Sequence, residues 1–138
     1  MNWVEFEKFV REASFFIIEK NEGSNNESAS KKIGWISYYL TRLDYPYLYE
    51  IGYRTKPSER RKGYATEAVK LIVHFMFSTK NIERIESVTD VENMPSQRVL
   101  EKNGFKREGV LRRRSFTKGQ YRDEYIYGIL REEWLANV

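Results

Sequence analysis

The sequence contains no cysteine and a single histidine, His74. Disulfide bonds, thiolate metal sites and a thiol-bound acyl intermediate are therefore excluded, and so is a histidine-rich metal centre. We predict no metal site. No run of apolar residues is long enough to cross a bilayer, and the N-terminus lacks the basic-then-apolar order of a signal peptide. These absences predict a cytoplasmic protein that makes no use of a membrane.

Proline is also scarce, with three residues, and no linker or low-complexity tract interrupts the 138 residues. We therefore predict one domain over residues 1–138, since a chain of this length can bury a substantial core. The net charge is +4. Its excess lies in residues 98–138, which hold 10 basic and 6 acidic side chains. This asymmetry favours an acidic or phosphate-bearing partner near the C-terminal part of the chain.

Hydrophobic periodicity predicts an α+β fold with one mixed sheet. A first helix follows Asn2 as its cap, and the stretch 21–30 is a loop. The stripe of apolar residues from Ala65 to Met76 has the spacing of a second helix, and a third helix ends at Gly104. The predicted strands cover residues 14–19, 31–40, 47–54, 82–89, 105–116 and 121–130, and the predicted later helices cover about 65–76 and 95–102.

The turn before the second predicted helix has the composition of an anion-binding site. Backbone N–H groups in the first turn of a helix have no intrahelical partner, and the helix dipole places partial positive charge there. Gly63 and Ala65 are small enough for an anion to reach the backbone. Arg60, Arg61 and Lys62 add positive charge. The alternative interpretation is an ordinary surface loop that leads into a helix.

The pattern Arg60-x-x-Gly63-x-Ala65 and the stretch 93–105 together resemble the GCN5-related N-acetyltransferase (GNAT) superfamily. The pattern Arg60-x-x-Gly63-x-Ala65 is similar to its pyrophosphate-binding signature, and the stretch 93–105, NMPSQRVLEKNGF, is similar to its Asn-x-x-Ser helix followed by Leu-Glu-Lys-x-Gly-Phe. The stretches 49–53, YEIGY, and 119–125, GQYRDEY, further resemble the branch that acetylates protein N-termini, including those of ribosomal proteins.

The resemblance implies a fold and a cosubstrate. The fold is a single mixed, mostly antiparallel twisted sheet with helices on both faces and without the usual first strand. The cosubstrate is acetyl-CoA, whose thioester arm would lie in an opening between the strands at 47–54 and 82–89. Backbone groups of Ile51 and Tyr53 would bind the pantetheine amides, and the Asn93 amide would assist. On spacing alone, Asn93 is equally a turn residue that precedes a helix. The residues expected to bind the coenzyme are Ile51, Tyr53, Arg60, Arg61, Lys62, Gly63, Tyr64, Ala65, Thr66 and Asn93.

The implied reaction is direct attack of an amine on the thioester, which requires a base and stabilisation of the leaving thiolate. Glu50 stands where family members often place a carboxylate and is the candidate base; the alternative is an ion pair with a nearby arginine, such as Arg54 on the same strand face. Ser96 is the candidate hydrogen-bond donor to the thiolate; the alternative is a helix cap. Leu100 occupies the position at which many members have a tyrosine that acts as the general acid. Val88 occupies the position of a second base in some N-terminal acetyltransferases.

The expected acceptor is a protein or peptide amine, foremost an N-terminal α-amine and including ribosomal proteins. Residues 112–114, RRR, would attract acidic peptide or ribosomal RNA, and Tyr121, Tyr125 and Tyr127 would line the acceptor site. Solvated arginines and half-buried tyrosines are the alternative interpretations. The competing functions are a non-catalytic acyl-CoA-binding module, a small-molecule amine acetyltransferase and a basic nucleic-acid-associated domain.

Family members usually begin with another strand and two helices that help to close the acceptor groove, whereas this sequence starts near the second helix. The groove is then unusually open, or a second subunit completes it, or the true start lies upstream. A sheet edge without its usual strand favours pairing with another chain, so a homodimer is among the expectations.

Overall fold

The structure, a computed structural model, describes residues 14–21, 30–42 and 44–138. The first helix predicted after Asn2 and all but the ends of the predicted loop 21–30 lie outside these residues. The elements are β1 (Ser14–Asn21), β2 (Ser30–Arg42), β3 (Leu48–Thr55), a 3₁₀ turn (Pro57–Glu59), α1 (Tyr64–Thr79), β4 (Arg84–Asp90), α2 (Met94–Lys102), β5 (Lys106–Thr117), β6 (Gln120–Leu130) and α3 (Arg131–Ala136).

One six-stranded sheet carries the fold, with strand order β1-β2-β3-β4-β6-β5. All neighbouring pairs are antiparallel except β3 and β4, which run parallel. The α+β class and the mixed, mostly antiparallel sheet are therefore confirmed. β1 and β5 form the two edges among the described residues, and pairing of a second copy along β1 remains a prediction.

Alternation along the strands places one face of the sheet in the core. Tyr49 and Ile51 of β3 are buried on this face, as are Ile85 of β4 and Tyr127 and Ile129 of β6. Helix α1 covers it with residues spaced three and four apart, which is the pattern of a helix packed on a sheet. Its buried side chains are Ala68, Val69, Ile72, Val73, Met76 and Phe77.

The predicted element boundaries are close to those observed, and one helix was missed. α3 begins directly after β6, and Trp134 on it stacks on Phe77 of α1 with a ring-centroid distance of 5.2 Å. Six residues are too few to show helical periodicity, so no sequence pattern indicated this helix. The helix expected on the other face of the sheet falls in residues 1–13 and outside the described part. No helix among the described residues is long and apolar enough to span a membrane.

Candidate active site

A groove of about 880 Å³ lies between the end of β3, the first turn of α1 and the start of α2. It is lined by nine of the residues that the sequence nominated. These are Tyr53, Arg60, Arg61, Gly63, Tyr64, Ala65, Thr66, Asn93 and Ser96. Residues separated by more than 40 positions in the chain therefore meet at one site, as the predicted order of the two motifs requires.

The first turn of α1 presents unpaired backbone donors to this groove. Gly63 precedes the helix in the left-handed conformation, with φ 81°, and no described side chain caps the helix start. Arg61 is also left-handed, with φ 65°. Within the described residues, no atom accepts a hydrogen bond from the main-chain N–H groups of residues 61–66, whereas the N–H of Glu67 bonds the carbonyl oxygen of Gly63 at 3.1 Å. Such a turn favours an anion.

Cationic side chains surround the groove. The predicted Arg60 and Arg61 line it, and so do Arg98 and Lys102, which project from successive turns of α2. The sequence analysis did not assign the last pair, although their spacing of four on the predicted helix was a usable signal. Four cations around free backbone donors suit a ligand that carries several phosphates.

Lys62 differs from the other predicted cations because its ammonium group is already paired. Its Nζ lies 3.2 Å from Oε2 of Glu59, a carboxylate that is 4% exposed. Lys31 bonds the other oxygen of Glu59 at 3.2 Å, and Lys20 lies 4.0 Å away. These lysines lower the pKa of Glu59 through the hydrogen bonds from Lys31 and Lys62. Lys62 is not among the groove-lining residues, so its part in phosphate binding remains a prediction.

The strands β3 and β4 open beside the groove. They pair only at Tyr49 with Ile85 and at Glu50 with Glu86, although β3 continues to Thr55 and β4 to Asp90. Just past the last pair, Ser87 Oγ donates to the carbonyl oxygen of Ile51 at 3.1 Å. Alternate residues of a strand direct their main-chain groups to the same side, so Tyr53 also faces the opening. This arrangement leaves main-chain groups of β3 beyond Ile51, those of Tyr53 among them, unpaired by β4 and available for an extended ligand.

The start of α2 forms the other wall of the groove. Asn93 is its N-cap, because its Oδ1 accepts a hydrogen bond from the Ser96 N–H at 3.2 Å. The capping role foreseen as an alternative for Ser96 therefore belongs to Asn93, which is exposed and lines the groove. Ser96 Oγ instead lies 2.8 Å from the hydroxyl of Tyr53. Sequence analysis assigned only the backbone of Tyr53, and its hydroxyl contact links residues 43 positions apart.

Hydrogen bonds fix α2 against the rest of the fold. Gln97 Nε2 donates to the carbonyl oxygen of Val91 at 3.0 Å, and its Oε1 accepts from Arg107 Nη2 at 3.1 Å. Asn103 Nδ2 donates to the carbonyl oxygen of Thr66 in the first turn of α1 at 3.1 Å. The two helices that line the groove are thereby held to each other and to the sheet.

Glu50 lies at the last paired position of β3 and β4, on the sheet face opposite the groove and α1. It is 9% exposed, and burial raises its pKa. Glu86 and Glu124 act in the same direction, whereas a hydrogen bond from its cross-strand partner Tyr39 and the charge of Arg114 act against it. No ion pair joins Glu50 to Arg54, and the arginine whose charge acts on Glu50 is Arg114, so the nearby arginine of the alternative interpretation is Arg114.

The three tyrosines proposed to line the acceptor site do not share one exposed surface. Tyr127 is fully buried, and its hydroxyl donates to Glu101 Oε1 at 3.0 Å. The ring of Tyr125 packs under the guanidinium of Arg107 at 3.9 Å. Only Tyr121 is largely exposed, at the β5–β6 hairpin. The packing interpretation therefore applies to Tyr125 and Tyr127, because their alternate positions on β6 face the core.

Comparison with known proteins places this architecture in a family. The model of the acetyltransferase (GNAT) domain matches residues 2–106. The chain belongs to the GNAT acetyltransferase family. Over 133 residues it is 35% identical to the uncharacterized N-acetyltransferase YnaD of Bacillus subtilis, covering 91% of this chain and 77% of that protein. The GNAT domain described here is thus of the N-acetyltransferase type, and the family uses acetyl-CoA as cosubstrate.

Two further GNAT relatives have names that state an acceptor. The ribosomal-protein-S5-alanine acetyltransferase of Vibrio fischeri superposes with a TM-score of 0.76 at 28% identity, covering 95% of this chain and 68% of that one. The spermidine N(1)-acetyltransferase of Escherichia coli K12 is 34% identical over 80 residues, which cover 58% of this chain and 43% of that protein. The family therefore includes one relative named for a protein acceptor and another named for a small amine.

Proposed function

We propose that this chain transfers an acetyl group from acetyl-CoA to a primary amine by direct attack, with a protein N-terminal α-amine, including those of ribosomal proteins, as acceptor. The observation that carries the proposal is the set of free main-chain N–H groups at residues 61–66 in a basic groove that continues into the β3–β4 opening. The diphosphate of the coenzyme would bind these donors, flanked by Arg60 and Arg61. The pantetheine arm would extend along β3 past Tyr53 and Ile51.

Glu50 is proposed as the base because it lies where the two strands begin to separate. Burial raises its pKa toward the range in which a carboxylate can accept a proton near neutral pH. An α-amine, with an ordinary pKa of about 7.7–8.0, needs less help from such a base than a lysine, whose pKa is about 10.4. The Tyr39 hydroxyl hydrogen-bonds Glu50 and would hold its carboxylate in place.

A polyamine or other small amine is the second candidate acceptor. Glu50, Glu86 and Glu124 lie near one another on the sheet face opposite α1, and a cationic substrate would be attracted to this group of carboxylates. Arg114 opposes that attraction, since its Nη1 lies 3.9 Å from Glu124 Oε1. The name of the spermidine acetyltransferase relative supports this candidate.

Release of CoA thiol from acetyl-CoA tests the proposal with three acceptor sets at matched concentration. One set has lysine-free peptides with a free α-amine, the second has N-terminally blocked peptides with lysine, and the third has polyamines. We expect turnover with the first set, and mass spectrometry should place the acetyl group on the α-nitrogen. Turnover with polyamines alone would favour the second candidate. Tight binding of acetyl-CoA without turnover in any set would indicate a non-catalytic binding module.

Replacing Glu50 by Gln tests the assignment of the base. We expect a large fall in kcat with unchanged affinity for acetyl-CoA, because Glu50 lies outside the groove. The acid limb of the wild-type kcat/KM profile should lie above the ordinary glutamate range, since the carboxylate must be ionised and its pKa is raised. Wild-type turnover in Glu50→Gln would remove the assignment.

A further inference from the structure

The hydroxyl groups of Tyr53 and Ser96 form a pair across the groove. Tyr53 belongs to β3, beyond its last pairing with β4, and Ser96 belongs to the first turn of α2, which follows β4. Their oxygens are 2.8 Å apart, and both residues line the groove. The pair therefore joins β3 to the start of α2 beside the opening through which the thioester arm would pass.

Two hydrogen-bond arrangements satisfy this pair. The Tyr53 hydroxyl can donate to the Ser96 carbonyl oxygen, at 3.2 Å, and accept from Ser96 Oγ; or it can donate to Ser96 Oγ. In the second arrangement the serine proton has no acceptor among the described residues and is free to point into the groove. An anion in the groove would select that arrangement, because a hydroxyl donates most strongly to a charged acceptor.

The phenol is a poor source of a proton for a thiolate. Burial raises the pKa of Tyr53 to about 12, against about 8.5 for an ordinary thiol. Net transfer of the phenol proton to sulfur would therefore be uphill by more than three powers of ten. The phenol stays protonated throughout the neutral range, and what it can supply is a fixed hydrogen bond.

We propose that Tyr53 is a positioning residue whose hydroxyl orients Ser96 Oγ–H as a hydrogen-bond donor to the departing thiolate of CoA. This inference rests on the proposed acetyl transfer. As the amine nitrogen bonds the carbonyl carbon, the C–S bond breaks and its electron pair passes to sulfur, which accepts the hydrogen bond from Ser96. The amine proton goes to Glu50 or water, and the thiolate takes a proton from solvent after release. Neither hydroxyl is consumed.

The N-cap of α2 supports this role by fixing the serine. Asn93 Oδ1 holds the Ser96 N–H, so the Ser96 side chain is anchored to the same turn that faces the groove. Leu100, one turn later on α2, is fully buried and carries no group that could protonate sulfur. Stabilisation of the thiolate by a hydroxyl pair therefore replaces proton donation from α2.

The decisive measurement is the pKa of the thiol of bound CoA, followed by the ultraviolet absorbance of the thiolate as pH is raised. In the wild type we expect a value below that of free CoA. Ser96→Ala should return it toward the free value, and Tyr53→Phe should do so in part, because the donor remains but is no longer oriented. Tyr127→Phe is the matched control, since it also removes a phenol hydroxyl bonded to α2 but lies outside the groove. It should leave the thiol pKa unchanged.

Single-turnover acetyl transfer gives the second readout. We expect a fall of about 10- to 100-fold for Ser96→Ala and a smaller one, about 3- to 10-fold, for Tyr53→Phe, with the KM for acetyl-CoA within about twofold. The double variant should be no slower than Ser96→Ala, because the tyrosine acts only through the serine. A thiol pKa in Tyr53→Phe equal to that of the wild type would overturn the inference. So would additive losses of transfer rate in the double variant. A wild type that lowers the thiol pKa but acetylates no amine would overturn the proposed function alone.

Discussion

The two ends of helix α1 differ in whether their terminal main-chain groups are hydrogen-bonded. At the C-terminal end, Arg131 donates to the carbonyl oxygens of Phe77, Lys80 and Ile82 at 2.9, 2.6 and 2.8 Å. At the N-terminal end, Gly63 supplies no capping side chain, and the N–H groups of the first turn find no partner in the described part of the chain. Every helix leaves such groups over, so the contrast shows where this protein has satisfied them and where it has not.

The difference separates stability from ligand binding within one element. The Arg131 guanidinium donates to three carbonyl oxygens and so anchors α1, the loop after it and α3 together. Its positive charge also complements the negative end of the helix dipole. The N-terminal end, called the open end below, has no such anchoring contact. Its unpaired main-chain N–H groups remain available to an anion. The C-terminal end is called the closed end. Changes in the first turn of α1 should therefore alter coenzyme affinity, and changes at Arg131 should alter the free energy of unfolding.

The largest effect is expected from Gly63→Glu. A carboxylate at the open end would repel a diphosphate, and a side chain at φ 81° strains the turn, so the affinity for acetyl-CoA should fall at least about 100-fold. Gly119→Glu is the matched control, because Gly119 has φ 77° and, like Gly63, has no atom within 4 Å of an added Cβ. Calorimetric titration of both variants with acetyl-CoA makes the comparison. Equal losses in the two variants would show that strain, not the anion site, is responsible.

The next effect concerns the closed end. Arg131→Met keeps much of the side-chain length but removes three hydrogen bonds to carbonyl groups, so the free energy of unfolding should fall by about 3 kcal/mol. Denaturant titration measures it, with Arg112→Met on exposed β5 as the control for loss of an arginine. The folded variant should bind acetyl-CoA within about twofold of the wild type. A large loss of affinity at unchanged stability would reverse the assignment of the two ends.

The open end was predictable from sequence, and the closed end was not. The stripe from Ala65 to Met76 identified α1, and the small residues with flanking arginines predicted an anion site at its start, because both signals lie within 20 residues. Arg131 reaches carbonyl oxygens about 50 positions earlier in the chain. Nothing in its own neighbourhood distinguishes it from the other arginines.

The same limit explains the rest of the site. The fold class and the positions of the two motifs followed from local periodicity and from resemblance to GNAT sequences. The Tyr53–Ser96 contact and the lysines around Glu59 depend on how strands β1, β2 and β3 come together with the turn and with α2. Glu59 stands beside three basic residues in the sequence, and only the tertiary structure shows that it is buried.

A smaller effect should separate the cations at the open end. Arg60 donates to Thr55 O only weakly through Nε, at 3.4 Å, and its terminal nitrogens donate to no described atom. Arg60→Met should weaken acetyl-CoA binding about 5- to 10-fold at low salt and less at high salt. Lys62→Met should change affinity by no more than about twofold, since Lys62 is paired with Glu59. Calorimetry at two ionic strengths distinguishes them, and a larger loss in Lys62→Met would restore its predicted phosphate contact.

The smallest effect is a difference in how the two ends respond to pH. Lys31 and Lys62 lower the pKa of Glu59 in the folded protein, so its contribution to stability is present above the unfolded value of about 4.3 and is lost as the pH falls through the lowered one. The difference in unfolding free energy between wild type and Glu59→Gln should therefore shrink below pH 4.

The difference for Arg131→Met should stay constant over the same range, because the guanidinium does not titrate there and carbonyl groups carry no proton to gain. Glu67→Gln, which removes an exposed carboxylate from the first turn of α1, controls for the loss of a charge near the helix start. Denaturant titrations between pH 3 and 7 measure all three variants in conditions where each is folded. Parallel curves for Glu59→Gln and Arg131→Met would mean that the ion pairs of Glu59 do not stabilise the turn that precedes α1.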